Sequence, residues 1–174
     1  ARGFFFEWYF SLFGANPLPW HLDAFLWRAL SAVGALWIFN ILWSGGRKFA
    51  FLAALLFAIY PGYFWWISAI EYQPMIASLA LQAFSIAFTL KALQSRNRVE
   101  KVAYAIGSVL TGWIYIALVD YAIGMEAFRF LCVVLLVNRD AQGGTWSRLR
   151  DTLKTWAWTL LIPLGFMFWR TFFF

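Results

Sequence analysis

Phe57 to Pro74 reads FAIYPGYFWWISAIEYQP, apolar enough for a bilayer yet broken by Pro61-Gly62 and closed by Glu71 and Gln73. The apolar run before the break, Phe49 to Tyr60, covers only ~18 Å as a helix at 1.5 Å per residue, short of a hydrocarbon core of ~30 Å. The segment therefore either kinks through Pro61-Gly62 or stops there. Tyr60, Tyr63, Trp65, Trp66 and Tyr72 carry amphipathic rings that settle at headgroup level. A Pro-Gly break lets the backbone leave the helix where water or protein satisfies it. We read the stretch as an outer-face turn with an aromatic anchor, Tyr63 to Gln73 forming the connection.

The rest of the chain supports a membrane setting. Of its 174 residues 63% are hydrophobic and 13% charged, whereas soluble domains run at roughly 45–50% apolar and about 25% charged. With about 20 residues per crossing, the length accommodates about six spans and leaves no room for a soluble domain. The fold expected is all-α: a polytopic transmembrane helix bundle of about six spans, one broken at Pro61-Gly62, with residues 1–174 forming a single transmembrane domain. The opening ARGFFFEWYF lacks an initiator Met and a signal-peptide pattern, and the end WRTFFF is abrupt. We expect a fragment of a longer chain. Cys132, the only cysteine, lies in the apolar run FRFLCVVLLV, which excludes an internal disulfide and a cysteine metal cluster.

Working outward, Leu22 to Trp43 is the first span, closed by Gly45-Gly46 and flanked by Arg47-Lys48. Pro74 suits the first turn of a helix, where its missing N–H would be unpaired anyway, and MIASLALQAFSIAFTLKAL follows it to QSRNRVEK. Lys101 to Val119 makes a fourth span, VDYAIGMEAFRF turns into a fifth ending near residues 137–140, and Thr155 to Arg170, interrupted by Pro163, is the sixth.

Charge orients this arrangement. The loops 44–48, 91–101 and 138–154 hold ten basic side chains against Glu100, Asp140 and Asp151, a net +7. Elsewhere Arg2, Arg28, Arg129 and Arg170 face five carboxylates, a net −1, and the two parts make the formal +6. By the positive-inside rule the basic loops are cytoplasmic and the protein is a multi-pass component of the inner (plasma) membrane. The same split disposes of nucleic acid as a partner, since no continuous basic groove can form from short separate loops.

The order of pieces carries a resemblance: PLPWHLDAFLWRALSAVGALWIF, then FAFLAALLFAIYPGYFWWISAIEYQP, a helix ending in a basic loop, VDYAIGMEAFRFL, and WTLLIPLGFMFWRTFFF. From about Pro17 onward the chain resembles bacterial multi-spanning proteins of the GT-C glycosyltransferase superfamily, in a branch near the dolichyl-phosphate-mannose mannosyltransferase-like proteins. The resemblance implies transfer of a sugar from a polyprenyl-phosphate donor at the extracytoplasmic face, using a carboxylate in the first outer loop. Within residues 1–20 Glu7 is the only acid and no paired acidic motif occurs. Either the catalytic segment lies upstream or the scaffold persists without the activity, so no catalytic residue is assigned.

The candidate substrate or lipid-phosphate residues are Arg129, Glu126, Asp120, Glu71, Tyr72 and His21. Glu126 and Arg129 stand three apart in GMEAFRFL and share a helical face. An ionisable pair at membrane depth is a functional candidate by default, here as a helix tether or, through Arg129, as a phosphate contact. Asp120 beside Tyr121 and Glu71 beside Tyr72 suit sugar or metal-bridged phosphate, and equally suit solvated span ends. His21, the sole histidine, stands just before a span with Phe25 and Arg28 at helical spacing, as an interfacial anchor or as a base. No residue set marks a metal site; a divalent cation could enter only through carboxylates and a substrate phosphate. The alternative to the enzyme scaffold is a non-catalytic accessory subunit docking on other membrane subunits of a photosynthetic or respiratory complex. Aromatic residues at 22%, including 12 Trp and 20 Phe, provide broad apolar faces for lipid, quinone, carotenoid or partner helices. No span contains a histidine apart from His21 at an edge, which argues against a histidine-ligated antenna.

Overall fold

A computed structural model describes residues 2–60, 68–139 and 145–173, and among the described residues every regular element is helical. The order is α1 (Arg2–Phe13), α2 (Pro17–Leu42), α3 (Arg47–Ile59), α4 (Ala69–Gln94), α5 (Arg98–Leu118), a 3-10 turn (Asp120–Gly124), α6 (Met125–Asn138), α7 (Thr145–Trp156), a second 3-10 turn (Ala157–Leu160) and α8 (Leu161–Phe173).

Three of these helices are long and apolar enough to cross a membrane: α2 and α4 with 26 residues each and α5 with 21, or about 39 and 32 Å. The other described helices run 12–14 residues, about 20 Å, and none spans the hydrocarbon by its own length. Six full-length spans are thus not what the described helices present. Part of the shortfall, the short α3 between Gly46 and Tyr60, is already visible in the sequence; the rest comes from the two 3-10 turns, which an apolar count does not register. The Pro61-Gly62 break itself, with Tyr63, Trp65 and Trp66, lies outside the described residues.

Several boundaries differ from the sequence reading, among them α5, which starts at Arg98 and not Lys101, and α7, which occupies most of the segment read as a loop. Helix α2 starts at Pro17 rather than Leu22, because Asn16 caps it, its Oδ1 accepting from Leu18 N at 3.1 Å, while Pro17 presets the first helical φ. His21 accordingly lies inside the helix and not before it. Helix α4 starts at Ala69, so Ala69 to Gln73 are helical instead of connecting, and Pro74 sits beyond the first turn, where its missing N–H leaves the Ile70 carbonyl without its helical donor. The last apolar segment is broken at Ala157–Leu160, with Pro163 in the first turn of α8, where a missing N–H is harmless.

Helix α4 is the axis of the bundle, packed mainly between α2 and α5: 67% of its most apolar stretch is buried, against 33% in α2 and 28% in α5. Its composition explains this. Ala77, Ala80, Ala83 and Ala87 are buried, and small residues let backbones approach in a setting where lipid removes most of the hydrophobic drive for helices to pair. A Cβ on Gly34 of α2 would stand 2.7 Å from Ala83 Cβ, and one on Gly112 of α5 would stand 2.7 Å from Ile162 of α8.

The bundle has two distinct ends. At one, Ile38 and Ile41 of α2, Leu90 of α4 and Cys132 and Val133 of α6 form a core under the loops that follow α2, α4 and α6, and Arg139 donates to the Ser44 hydroxyl across it. At the other, Tyr9, Trp20, Ala24, Ala69 and Ile76 form an aromatic-rich core, and Arg28 donates from Nε and Nη2 to the Ala58 carbonyl at 2.9 and 2.5 Å, fastening the last turn of α3 to α2. Ser44 and Arg139 thus share one end, with Asp23, Glu71 and Asp120 toward the other; Arg148, Arg150 and Lys154, read from the sequence as loop residues, lie in helix α7.

Candidate functional site

A polar stripe runs along the apolar helix α4: Ser78, Gln82, Ser85 and Thr89, spaced four, three and four apart, all buried. Such residues within a span must find partners, since lipid offers none. Gln82 Nε2 reaches Ser78 Oγ at 3.3 Å, and Ser78 Oγ donates to the Tyr115 carbonyl of α5 at 3.1 Å. Further along, α4 and α5 exchange hydrogen bonds: Ser85 Oγ donates to the Ser108 carbonyl at 2.7 Å and Ser108 Oγ to the Ser85 carbonyl at 3.0 Å.

Arg129 of α6 enters this exchange fully buried. Its Nη1 donates to the Ser85 carbonyl at 3.1 Å, to Ser108 Oγ at 2.9 Å and to Thr89 Oγ1. Its Nη2 donates to Ser85 Oγ at 2.7 Å and to Glu126 Oε1 at 3.1 Å. Its Nε faces Glu126 Oε2 at 2.9 Å, completing the ion pair. Tyr115 of α5 donates its hydroxyl to Glu126 Oε1. Both terminal nitrogens of the guanidinium are thus hydrogen-bonded to protein oxygens, while Nε lies within ion-pair distance of Glu126 Oε2 without forming a hydrogen bond to it. Chemically the node neutralises two charges and ties α4, α5 and α6 together; it extends no hand to a ligand.

The other candidates lie apart from it. Asp120, at the start of the first 3-10 turn, accepts from Tyr121 N at 3.0 Å and pairs with Arg170 of α8 at 2.8 Å, both side chains half exposed. Glu71 is exposed in the first turn of α4, where an acid favours the helix dipole. Tyr72 packs against the aromatic core around Tyr9 and Trp20. His21 is exposed on α2. Among the described residues no three metal-ligating side chains converge.

Sequence reading passed over a second polar cluster at this end. Gln73 is fully buried and its Nε2 donates to Asp23 of α2. Trp27 Nε1 donates to the Tyr9 hydroxyl at 3.0 Å, which faces the same Asp23 carboxylate. Trp20 Nε1 donates to the Gly14 carbonyl at 3.1 Å. These bonds hold α1 against α2 and α4. The 50-residue separation of Asp23 and Gln73 gives no local signal. For the Arg129 partners the signal is the α4 polar stripe itself, whose helical spacing marks one inward face.

The chain matches no known protein family, no curated protein and no solved structure. Its function therefore rests on the geometry above.

Proposed function

We propose that this chain is a scaffold of the GT-C type, embedded in the plasma membrane with its basic loops cytoplasmic, and that it presents a polyprenyl-phosphate-linked sugar at the opposite end. In this reading α2, α3, α4, α5 and α6 are successive passes, α3 and α6 being completed by flanking residues. The segment through α8 is the sixth, giving about six.

The observation that carries the reading is the enclosure of Arg129 by protein partners. With its two terminal nitrogens bonded to Ser85, Thr89, Ser108 and Glu126 and its Nε facing the Glu126 carboxylate, this fully buried cation acts as a tether. Recognition of a polar headgroup then falls to the end where Asp23, Glu71 and Asp120 gather beside aromatic rings. Carboxylates beside aromatic faces suit a sugar's hydroxyls and apolar ring face. The test is photocrosslinking of membranes with a diazirine-bearing polyprenyl-phosphate sugar, followed by peptide mapping. Label on the peptides around Trp20 to Arg28, Ala69 to Gln73 and Asp120, competed by unlabelled lipid, is the expected result. Absence of competed label there would overturn the proposal.

The same node also serves a second reading, a non-catalytic subunit of a larger membrane assembly, which the broad apolar exterior favours: Leu161, Leu164, Met167, Phe168 and Phe172 of α8 are all exposed. Stoichiometric co-purification with other membrane subunits in mild detergent, without competed crosslinking, would select it.

A further inference from the structure

At the basic end, a groove of about 850 Å³ lies between α2, α3 and α6. Its walls are Phe39, Leu42, Phe49, Ala53 and Leu135, and its mouth is formed by Trp43, Ser44, Gly45, Gly46 and Arg139. Arg47 lines an adjoining hollow of about 530 Å³ with Ser44, Asn40 and Phe51. Gly46, which lines this mouth, is the N-cap of α3 and offers the first backbone N–H groups no side chain. Among the described residues neither Arg47 nor Arg139 has a carboxylate partner. A largely apolar trough thus carries one guanidinium group, Arg139, and the N-cap of α3 in its lining, with Arg47 in the neighbouring hollow that shares Ser44 with it; guanidinium groups and a helix N-terminus each favour an anion.

We propose that this groove binds one anionic glycerophospholipid of the leaflet at the basic end, its acyl chain along Phe39, Ala53 and Leu135 and its phosphate between Arg139, Arg47 and the Gly46–Lys48 backbone. Charge complementarity selects the occupant: a zwitterionic lipid brings a cationic group to the arginines, and a soluble phosphate leaves the trough empty. The site lies at the end opposite the proposed sugar-lipid surface and does not depend on that reading.

Native mass spectrometry of the full chain, delipidated and then offered equimolar palmitoyl-oleoyl phosphatidylglycerol and phosphatidylcholine, tests it. The wild type is expected to retain the phosphatidylglycerol selectively. Each of Arg47→Gln and Arg139→Gln should weaken that retention about fivefold, the usual effect of one basic side chain on an anionic lipid. Ala53→Trp, which fills the trough, should remove it while leaving both arginines, and excess glycerol phosphate should not displace the lipid. Equal retention of the two lipids by the wild type, unchanged retention in the arginine variants, or displacement by glycerol phosphate would each overturn the proposal. Should the variants fold poorly, crosslinking of the wild type with an acyl-diazirine phosphatidylglycerol decides: label must fall on the Phe39, Phe49–Ala53 and Leu135 peptides, and label elsewhere alone refutes the site.

Discussion

Arg129 is buried among hydroxyls supplied by two neighbouring helices, and a charge in that position is stable only while all its partners stay in place. Removing the arginine alone strands the Glu126 carboxylate in the protein interior, which typically costs about 3–5 kcal/mol. Arg129→Met should therefore lower thermal stability sharply, whereas Glu126→Gln combined with Arg129→Met should recover much of the loss, as measured by unfolding in a fixed detergent. A double variant no more stable than Arg129→Met would remove the tether interpretation. The Asp120–Arg170 pair provides a contrast at the same scale. Both side chains are about 53% exposed, and exposed pairs contribute about 0–1 kcal/mol. Asp120→Asn should change stability by less than about 1 kcal/mol in the same assay. That Glu126 and Arg129 would meet follows from their spacing of three on a helix. That Ser85, Thr89 and Ser108 would complete the set depends on which face of α5 turns toward α4, and spacing within one segment does not carry that information.

Among the elements, composition makes the long helices plain. An apolar run of 20 or more residues has few alternatives to a helix in lipid, so α2, α4 and α5 are readable from the chain, and the Asn97 cap that opens α5 adds a local start signal. Breaks are harder, because a 3-10 turn such as Ala157–Leu160 uses the same apolar residues as the helices on either side. The order of burial is also hidden locally: α4 and α2 have the same length and the same hydropathy, 1.6, and the central place of α4 comes from its small inward face. Close approach at Gly34 makes that dependence testable. A side chain there meets Ala83 Cβ at 2.7 Å and backbone at 3.3 Å, so nothing nearby can swing aside. Gly34→Leu should separate α2 from α4 and destabilise by at least the ~1–3 kcal/mol usual for overpacking. Gly45→Leu, whose Cβ meets nothing within 4 Å, should be far milder in the same unfolding assay.

For the whole molecule, the direction of each helix follows from which segments share an end. Asp23 of α2 bonds Gln73 of α4, both near the starts of their helices, so α2 and α4 run in the same direction. Arg28 of α2 reaches Ala58 near the end of α3, so α3 runs against them. Arg139, just after α6, meets Ser44, just after α2, while Asp120 meets Arg170 near the end of α8. Alternation of this kind places residues 44–47, 95–98 and 139 together, and Glu71, Asp120 and Arg170 at the far end. Charge alone proposes a wider grouping, three segments that hold ten of the 14 basic residues; the side-chain partners address residues 44 and 139 of it, and Arg148, Arg150 and Lys154 lie instead in α7. Single cysteines in a Cys132→Ala background, probed with an impermeant maleimide on oriented membrane vesicles, check both at once. Cysteine at Gly46 and at Arg98 should label from one side, and cysteine at Glu71 and at Tyr121 from the other. Because exposed Glu71 and buried Gln73 sit two residues apart in α4, Gln73→Cys is the internal control and should stay unlabelled from either side until the protein is denatured. Labelling of Gly46 and Glu71 from the same face would require α3 to return without crossing, and would undo the alternation on which the orientation of every later helix depends.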